Sequence, residues 1–288
     1  MTAVHHRYTT VGGYRLFYRE AGPLEGPSVV LLHGFPTSSF MYRELIPRLA
    51  DRFHVIAPDQ LGFGLSDAPP VDHFAYSFDA LARVTAALLS QLGVRRYGMY
   101  VHDYGAPVGW RLALANPQSV LAIITQNGNA YEAGFGAAFW KPVREYWAEQ
   151  NAQTEAAVRQ ALTLDAIRWQ YVHGVRDESL VSPDTWHHDF ALLSRPGNDE
   201  VQLELLADYA NNVGLYPKVH AYLRDRRVPL LAVWGGNDEI FVPAGALAFA
   251  DDAPAAEVHL LGGGHFLLET HLDETTSVVR DFLERTLA

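Results

Sequence analysis

Val101-His102-Asp103-Tyr104-Gly105-Ala106-Pro107-Val108-Gly109 is the stretch whose reading decides the fold. It closes the β-rich run Tyr97 to Val101 and leads into the helical run Trp110 to Ala115, so it reads as a sharp strand-to-helix turn. Such a turn lifts one side chain above the end of a sheet and needs small neighbours, here Gly105 and Ala106. The helix N-terminus that follows favours negative charge, and the lifted residue is Asp103. Taken alone, Asp103 reads equally well as an acid placed in a first helical turn by the helix dipole.

Outward from this turn, short apolar runs alternate with longer segments of helical period, the pattern of a parallel sheet with crossover helices. Val29 to Leu32, His54 to Ala57, Tyr97 to Val101, Ala122 to Thr125 and Leu230 to Val233 are nearly continuous β-rich runs, as expected of strands covered on both faces. Tyr8 to Thr10 and Tyr14 to Glu20 flank Gly12-Gly13 and predict an antiparallel hairpin on the sheet edge, and a last strand is expected over Glu257 to Leu261. Between Asn127 and Pro217 strand signals vanish, and Ala137 to Gln150, Thr154 to Leu164, Pro183 to Leu193 and Asp199 to Tyr209 show helical spacing. Ser182-Pro183 and Asn198-Asp199-Glu200 are expected helix starts. The expected class is α/β, with a core of 1–127 and 218–288 and an inserted helical cap over 128–217.

Composition narrows the function. A chain of 288 residues, 49% apolar, can bury a core large enough to carry a deep cleft. It has no cysteine, which removes disulfides, thiolate nucleophiles and thiolate metal sites. The formal charge is −11, and Lys141 and Lys218 are its only lysines, so nucleic acid and anionic membrane are poor partners and a neutral small molecule fits better. No apolar stretch follows the start Met1 to Arg7 and no window of 18 apolar residues occurs, so neither export nor a membrane span is expected and the expected location is cytoplasmic.

Two further motifs give Asp103 its weight. His33-Gly34-Phe35-Pro36 follows the Val29 to Leu32 strand, in the position from which a backbone N–H completes an oxyanion hole with the N–H after the nucleophile; the donors would be Phe35 and Tyr104. Trp234-Gly235-Gly236-Asn237-Asp238 places an acid after a strand, and Gly262-Gly263-Gly264-His265 places a histidine on a glycine turn after the last one. The chain order is nucleophile, acid, base, that of the α/β-hydrolases. With Asp59-Gln60-Leu61-Gly62-Phe63-Gly64-Leu65-Ser66-Asp67, these strings make the chain resemble, over nearly its whole length, the α/β-hydrolase-fold epoxide hydrolases, close to the haloalkane dehalogenases. The resemblance implies a mostly parallel central sheet flanked by helices, with the helical insertion as the cap.

Aspartate at the turn has a chemical consequence. A serine attacking saturated carbon leaves an ether that water does not readily cleave, whereas a carboxylate leaves a hydrolysable ester, so Asp103 implies displacement at sp³ carbon. An aspartate is ionised at neutral pH without a partner base, which leaves His265, oriented by Asp238, to activate water for the second step. The resemblance implies the same roles.

Epoxide and halide differ in how the leaving group is held. Haloalkane dehalogenases usually follow the nucleophile with Trp and complete the halide site with an Asn or a second Trp; here those places hold Tyr104 and Phe35. Fluoroacetate dehalogenases, also similar, place arginines where this chain has Tyr104 and Ala106-Pro107. An epoxide instead needs a proton donor for the developing alkoxide. The resemblance implies Tyr216 as the first candidate, with His173 or its rival Tyr171 as the second; on a helix the latter two point apart, so only one can face the pocket. Most aromatic residues of a cap fill space. His33 and His102 read as structural hydrogen-bonders along the strand ends. Trp186-His187-His188-Asp189 lacks the i, i+4 spacing of helical metal ligands and reads as a solvated face. No glycine-rich nucleotide loop follows a strand.

The expected function is therefore opening of a small apolar epoxide by Asp103, His265, Asp238, Tyr216 and His173, with the Phe35 and Tyr104 amides as oxyanion hole, water as co-substrate, and no cofactor or metal. Haloalkane dehalogenation with an unusual halide site, dual activity, and a non-catalytic ligand-binding protein on a hydrolase scaffold are the alternatives. Monomer and homodimer both stay open.

Overall fold

A computed structural model describes residues 2–287. Eight strands, β1 (Val4–Val11), β2 (Tyr14–Ala21), β3 (Ser28–Leu32), β4 (His54–Pro58), β5 (Tyr97–His102), β6 (Val120–Gln126), β7 (Leu230–Gly235) and β8 (Glu257–Leu261), form one sheet. Their spatial order is β1-β2-β4-β3-β5-β6-β7-β8. The hairpin β1/β2 and the pair β2/β4 are antiparallel, and every other pairing is parallel. The hairpin closes on Gly12 and Gly13, both at positive φ, which glycine adopts without steric cost.

β3, β4, β5 and β7 are buried almost throughout because helices cover both faces, which explains their unbroken apolar runs. The core helices are α1 (Ile46–Leu49), α2 (Phe78–Gln91) and α3 (Gly105–Ala115). Ser77 caps α2 by accepting from the Ala80 amide. Six helices then run between β6 and β7: α4 (Ala137–Ala148), α5 (Ala152–Arg159), α6 (Leu164–Val172), α7 (Asp184–Leu193), α8 (Asn198–Asp208) and α9 (Ala210–Arg226). After β7 come α10 (Pro243–Asp252), α11 (Leu267–Thr270) and α12 (Leu272–Thr286). α12 turns Thr275, Val279, Phe282 and Leu283 inward, the i, i+4, i+7 face of an amphipathic helix, and covers β6 and β7.

The boundary drawn at 217/218 falls inside a helix, because α9 continues through Pro217 to Arg226. Its second half buries Val219, Tyr222 and Leu223 and packs on α3 and α10, and that packing carries the helix past the proline. α7 and α8 begin near the expected starts, with the Asp184 amide donating to Ser182 Oγ at 3.3 Å and Gly197 at φ +78° before Asn198. No described helix is long and apolar enough to cross a membrane.

Candidate active site

Five chain segments leave the C-terminal ends of neighbouring strands and meet above the sheet: His33 to Pro36 after β3, Asp103 after β5, Asn127 after β6, Asp238 after β7 and His265 after β8. This edge is where open α/β sheets assemble ligand sites. Asp103 has φ +47°, a conformation that β-carbon-bearing residues adopt sparingly, and so the turn holds strain at the residue it presents. The turn fits only because its neighbours are small. A Cβ on Gly34 would lie 2.3 Å from Asp103 Cβ, and one on Gly105 would lie 2.0 Å from the Leu32 carbonyl oxygen.

The Phe35 amide donates to Asp103 Oδ1 at 2.7 Å, and the Tyr104 amide also acts on this carboxylate. Oδ2 lies 3.9 Å from His265 Nε2. The other imidazole nitrogen, Nδ1, is 2.8 Å from Asp238 Oδ2, so Nδ1 carries the proton and Nε2 is left to accept one. Nε2 is buried and has no hydrogen-bond partner among the described residues. Asp238 is itself fixed, since Asn127 Nδ2 donates to Oδ2 at 2.6 Å and the Ile240 amide donates to Oδ1 at 2.7 Å.

Burial pushes the Asp103 carboxyl up to about 6, against the His265 charge and the Phe35 and Tyr104 amides, which hold it down. His265 is shifted upward: burial alone would lower it, but the charge and hydrogen bond of Asp238, together with Asp103, outweigh that cost. His102, whose ring centroid is 4.5 Å from that of His265, is pushed well down by burial and then by His265, and stays neutral with its Nδ1 against the Gln126 carbonyl at 3.1 Å. His33 is committed as well, its Nε2 accepting from the Gln60 amide at 3.0 Å. Both histidines are structural hydrogen-bonders, as their strand-end positions suggest.

Asp103, His265, Asp238 and the Phe35 and Tyr104 amides thus come together, while the cap residues are arranged differently from the sequence expectation. Tyr216 is buried, but the groups acting on its hydroxyl are Tyr209 and Asn129, with Glu132 and Arg144 farther out. Tyr209, which the sequence marked only as the end of a helical segment, stands beside the nucleophile turn: Asp103 and Tyr104 both act on its phenol, and its ring centroid is 5.7 Å from that of Tyr104. The hydroxyl group beside its own is that of Tyr216, and the two phenols act on each other.

His173 is 36% exposed along its side chain, stacks on Trp169 and turns Nε2 toward Glu239 at 3.1 Å. Its rival Tyr171 is buried but committed, donating to Asp189 Oδ2 at 2.5 Å. Asp189 corrects the reading of the Trp186 to Asp189 segment as a solvated face. His187 is exposed, but Asp189 is buried against Tyr171 and against Thr37 Oγ1, 3.3 Å away on the loop after β3.

A protein-family model described as the alpha/beta hydrolase fold matches residues 27–272. The chain belongs to the α/β-hydrolase fold family. This α/β-hydrolase is 43% identical to an uncharacterised hydrolase of Saccharomyces cerevisiae over 270 residues, 93% of this chain and 92% of that one. It is 38% identical over 128 residues to the bifunctional epoxide hydrolase 2 of Sus scrofa, covering 44% of this chain and 22% of the relative. The crystal structure of the haloalkane dehalogenase DbeA from Bradyrhizobium elkani superposes with a TM-score of 0.81 at 25% identity, over 99% of both chains. The protein is a hydrolase of this superfamily, related to both haloalkane dehalogenases and epoxide hydrolases.

Proposed function

We propose that this hydrolase opens epoxides to vicinal diols through an ester on Asp103, with Tyr209 rather than Tyr216 as the proton donor facing the nucleophile. The observation that carries this reading is a buried phenol within electrostatic reach of Asp103, whose ring centroid is 5.7 Å from that of Tyr104, the residue after the nucleophile, and whose hydroxyl has only the Tyr216 phenol beside it among the described residues. Burial first, then Tyr216 and Asp103, raise its pKa well above the ordinary value, so the hydroxyl stays protonated and able to donate. The indoles beside it are not free to cradle a halide. Trp140 donates to the Ile240 carbonyl at 2.8 Å and Trp147 to the Leu206 carbonyl at 2.7 Å.

In the first step Asp103 Oδ2 attacks a ring carbon, the C–O bond to the ring oxygen breaks, and Tyr209 donates to the alkoxide. Oδ1, already held by the Phe35 amide, becomes the ester carbonyl oxygen. Alkylation removes the negative charge of Asp103, one of the groups that raise His265, so the imidazole loses proton affinity when a free base is needed. His265 Nε2 then takes a proton from water, whose oxygen attacks the ester carbonyl. The resulting oxyanion falls to the Phe35 and Tyr104 amides, each contributing on the order of 3 kcal/mol to the barrier difference. Collapse breaks the ester C–O bond, the leaving oxygen takes the proton from His265 to complete the diol, and the proton left on the new carboxyl returns to Tyr209, restoring the carboxylate and the phenol.

Replacing the base separates the steps. His265→Ala mixed with styrene oxide is expected to gain one substrate mass and to hold it, with peptide mapping placing the adduct on Asp103. An adduct on another residue, or none while the wild-type protein forms diol, overturns the nucleophile. Faster halide release from bromoalkanes than diol formation from epoxides overturns the substrate class.

A further inference from the structure

We propose that a groove on the outer face of the cap is a second subsite of the same active site, taking an apolar substituent of the substrate, and that Phe135 is the specificity-determining residue between the groove and the buried phenols Tyr209 and Tyr216. This rests on the epoxide reading above. The groove is open to solvent and offers about 550 Å³ between Glu132, Phe135, Ala137, Lys141, Arg144 and Glu145. Its floor is apolar and its rim charged, the lining of a site for an uncharged substituent.

Phe135 separates this groove from the buried phenols by one ring. It is 8% exposed, and its ring centroid is 6.1 Å from that of Tyr209, 6.3 Å from that of Tyr216 and 4.6 Å from that of Trp140. From the groove side the Arg144 guanidinium lies 5.0 Å from the centroid of the same ring. Glu132 and Arg144 both act electrostatically on the Tyr216 hydroxyl, an independent sign that the rim and the phenols are close.

The backbone here is tied to the loop after β7. The Gly136 amide donates to the Ile240 carbonyl at 3.0 Å, the Val242 amide donates to the Gly134 carbonyl at 2.8 Å, and a Cβ on Gly136 would fall 1.7 Å from the Glu239 carbonyl oxygen. Passage therefore depends on the size and rotation of one side chain, which makes it a matter of substrate size.

Two measurements test this, one independent of turnover. Phe135→Ala is expected to raise kcat/KM for trans-stilbene oxide about tenfold relative to propylene oxide, with Phe135→Leu giving a smaller change in the same direction. The chain has no cysteine, so Tyr216→Cys supplies a single thiol behind the gate. Its labelling by a methanethiosulfonate reagent is expected to speed up about tenfold when Phe135→Ala is added. Unchanged labelling, or an unchanged substrate ratio in protein that turns over epoxides, overturns the proposal. So does a gain on Phe63→Ala, which loosens the crevice beside Leu193, in place of Phe135→Ala. Faster labelling in a protein that opens no epoxide supports the passage and removes the epoxide reading instead.

Discussion

The two halves of the site are held by different means. On the sheet side, main-chain groups fix the reacting atoms: the Phe35 amide on Asp103, the Ile240 amide on Asp238, and a strand-end turn that leaves Asp103 at φ +47°. On the cap side, no main-chain group among the described residues holds the Tyr209 side chain; rings pack around it, Phe78, Tyr104, Trp140 and Trp147 among them, and its hydroxyl meets that of Tyr216. Covalent attack and deacylation need a fixed geometry, which backbone hydrogen bonds provide. Proton donation to the oxygen of variously shaped rings tolerates a softer mount, so substrate preference belongs to the cap and reaction type to the sheet.

The sharpest way to break that division is at the phenols. Tyr209→Phe removes a hydroxyl and no packing, and is expected to slow ester formation by about 10²- to 10⁴-fold, the usual span for a general acid. Tyr216→Phe is expected to cost much less, since its hydroxyl accepts from Asn129 Nδ2 at 3.5 Å and meets the Tyr209 phenol, which stands between it and Tyr104. Single-turnover alkylation rates with styrene oxide compare the two, and a larger loss in Tyr216→Phe would return the donor role to Tyr216.

A smaller effect, about 10²-fold, is expected on the sheet side from Asn127→Gly. Asn127 sits at φ +48°, which glycine accepts, so the change puts no strain on residue 127; it deletes the 2.6 Å hydrogen bond to Asp238 and the 3.1 Å one that Asn127 Oδ1 accepts from the Gly235 amide. The Asn127 side chain positions the acid that orients His265, and its loss should slow hydrolysis of the ester and leave its formation unchanged. The ester would then accumulate during turnover. Equal loss in both steps would show a structural role only.

This division also explains what could be read in the sequence. Strand, turn and small neighbour are local, so Val101 to Gly109, Trp234 to Asp238 and Gly262 to His265 locate three site residues, and the strands lie close to where their apolar runs put them. Asn127-Gly128 after β6 has the same grammar and was available as a signal, though it reads first as a domain boundary. Tyr209 was not legible. It sits where α8 passes into α9, so neither helix's periodicity says which way its ring points, and only packing against six other rings decides. The direction of His173 was not legible for a related reason: it leaves the helix at the C-cap of α6, with ψ 136°, and helical spacing no longer governs it.

The smallest expected effect, tenfold per pH unit, concerns the carboxylate itself. Attack requires Asp103 ionised, and burial holds its pKa at about 6 despite the His265 charge and the two amides. As pH falls through that value the acid form accumulates, so kcat/KM for ester formation should drop by about tenfold per unit below pH 6, well above the range of an ordinary carboxylate. Phe35 has no side-chain proton to lose and its amide does not titrate, so the limb reports the buried carboxylate and its imidazole neighbour. Rapid-quench alkylation in His265→Ala separates those two: removing the imidazole removes the first of the groups that hold Asp103 down, and the limb should move to higher pH. A limb near the ordinary carboxylate value, or one that moves down in His265→Ala, would mean that water reaches Asp103 freely, and the contrast between a backbone-fixed, desolvated nucleophile and a softly mounted donor would no longer hold.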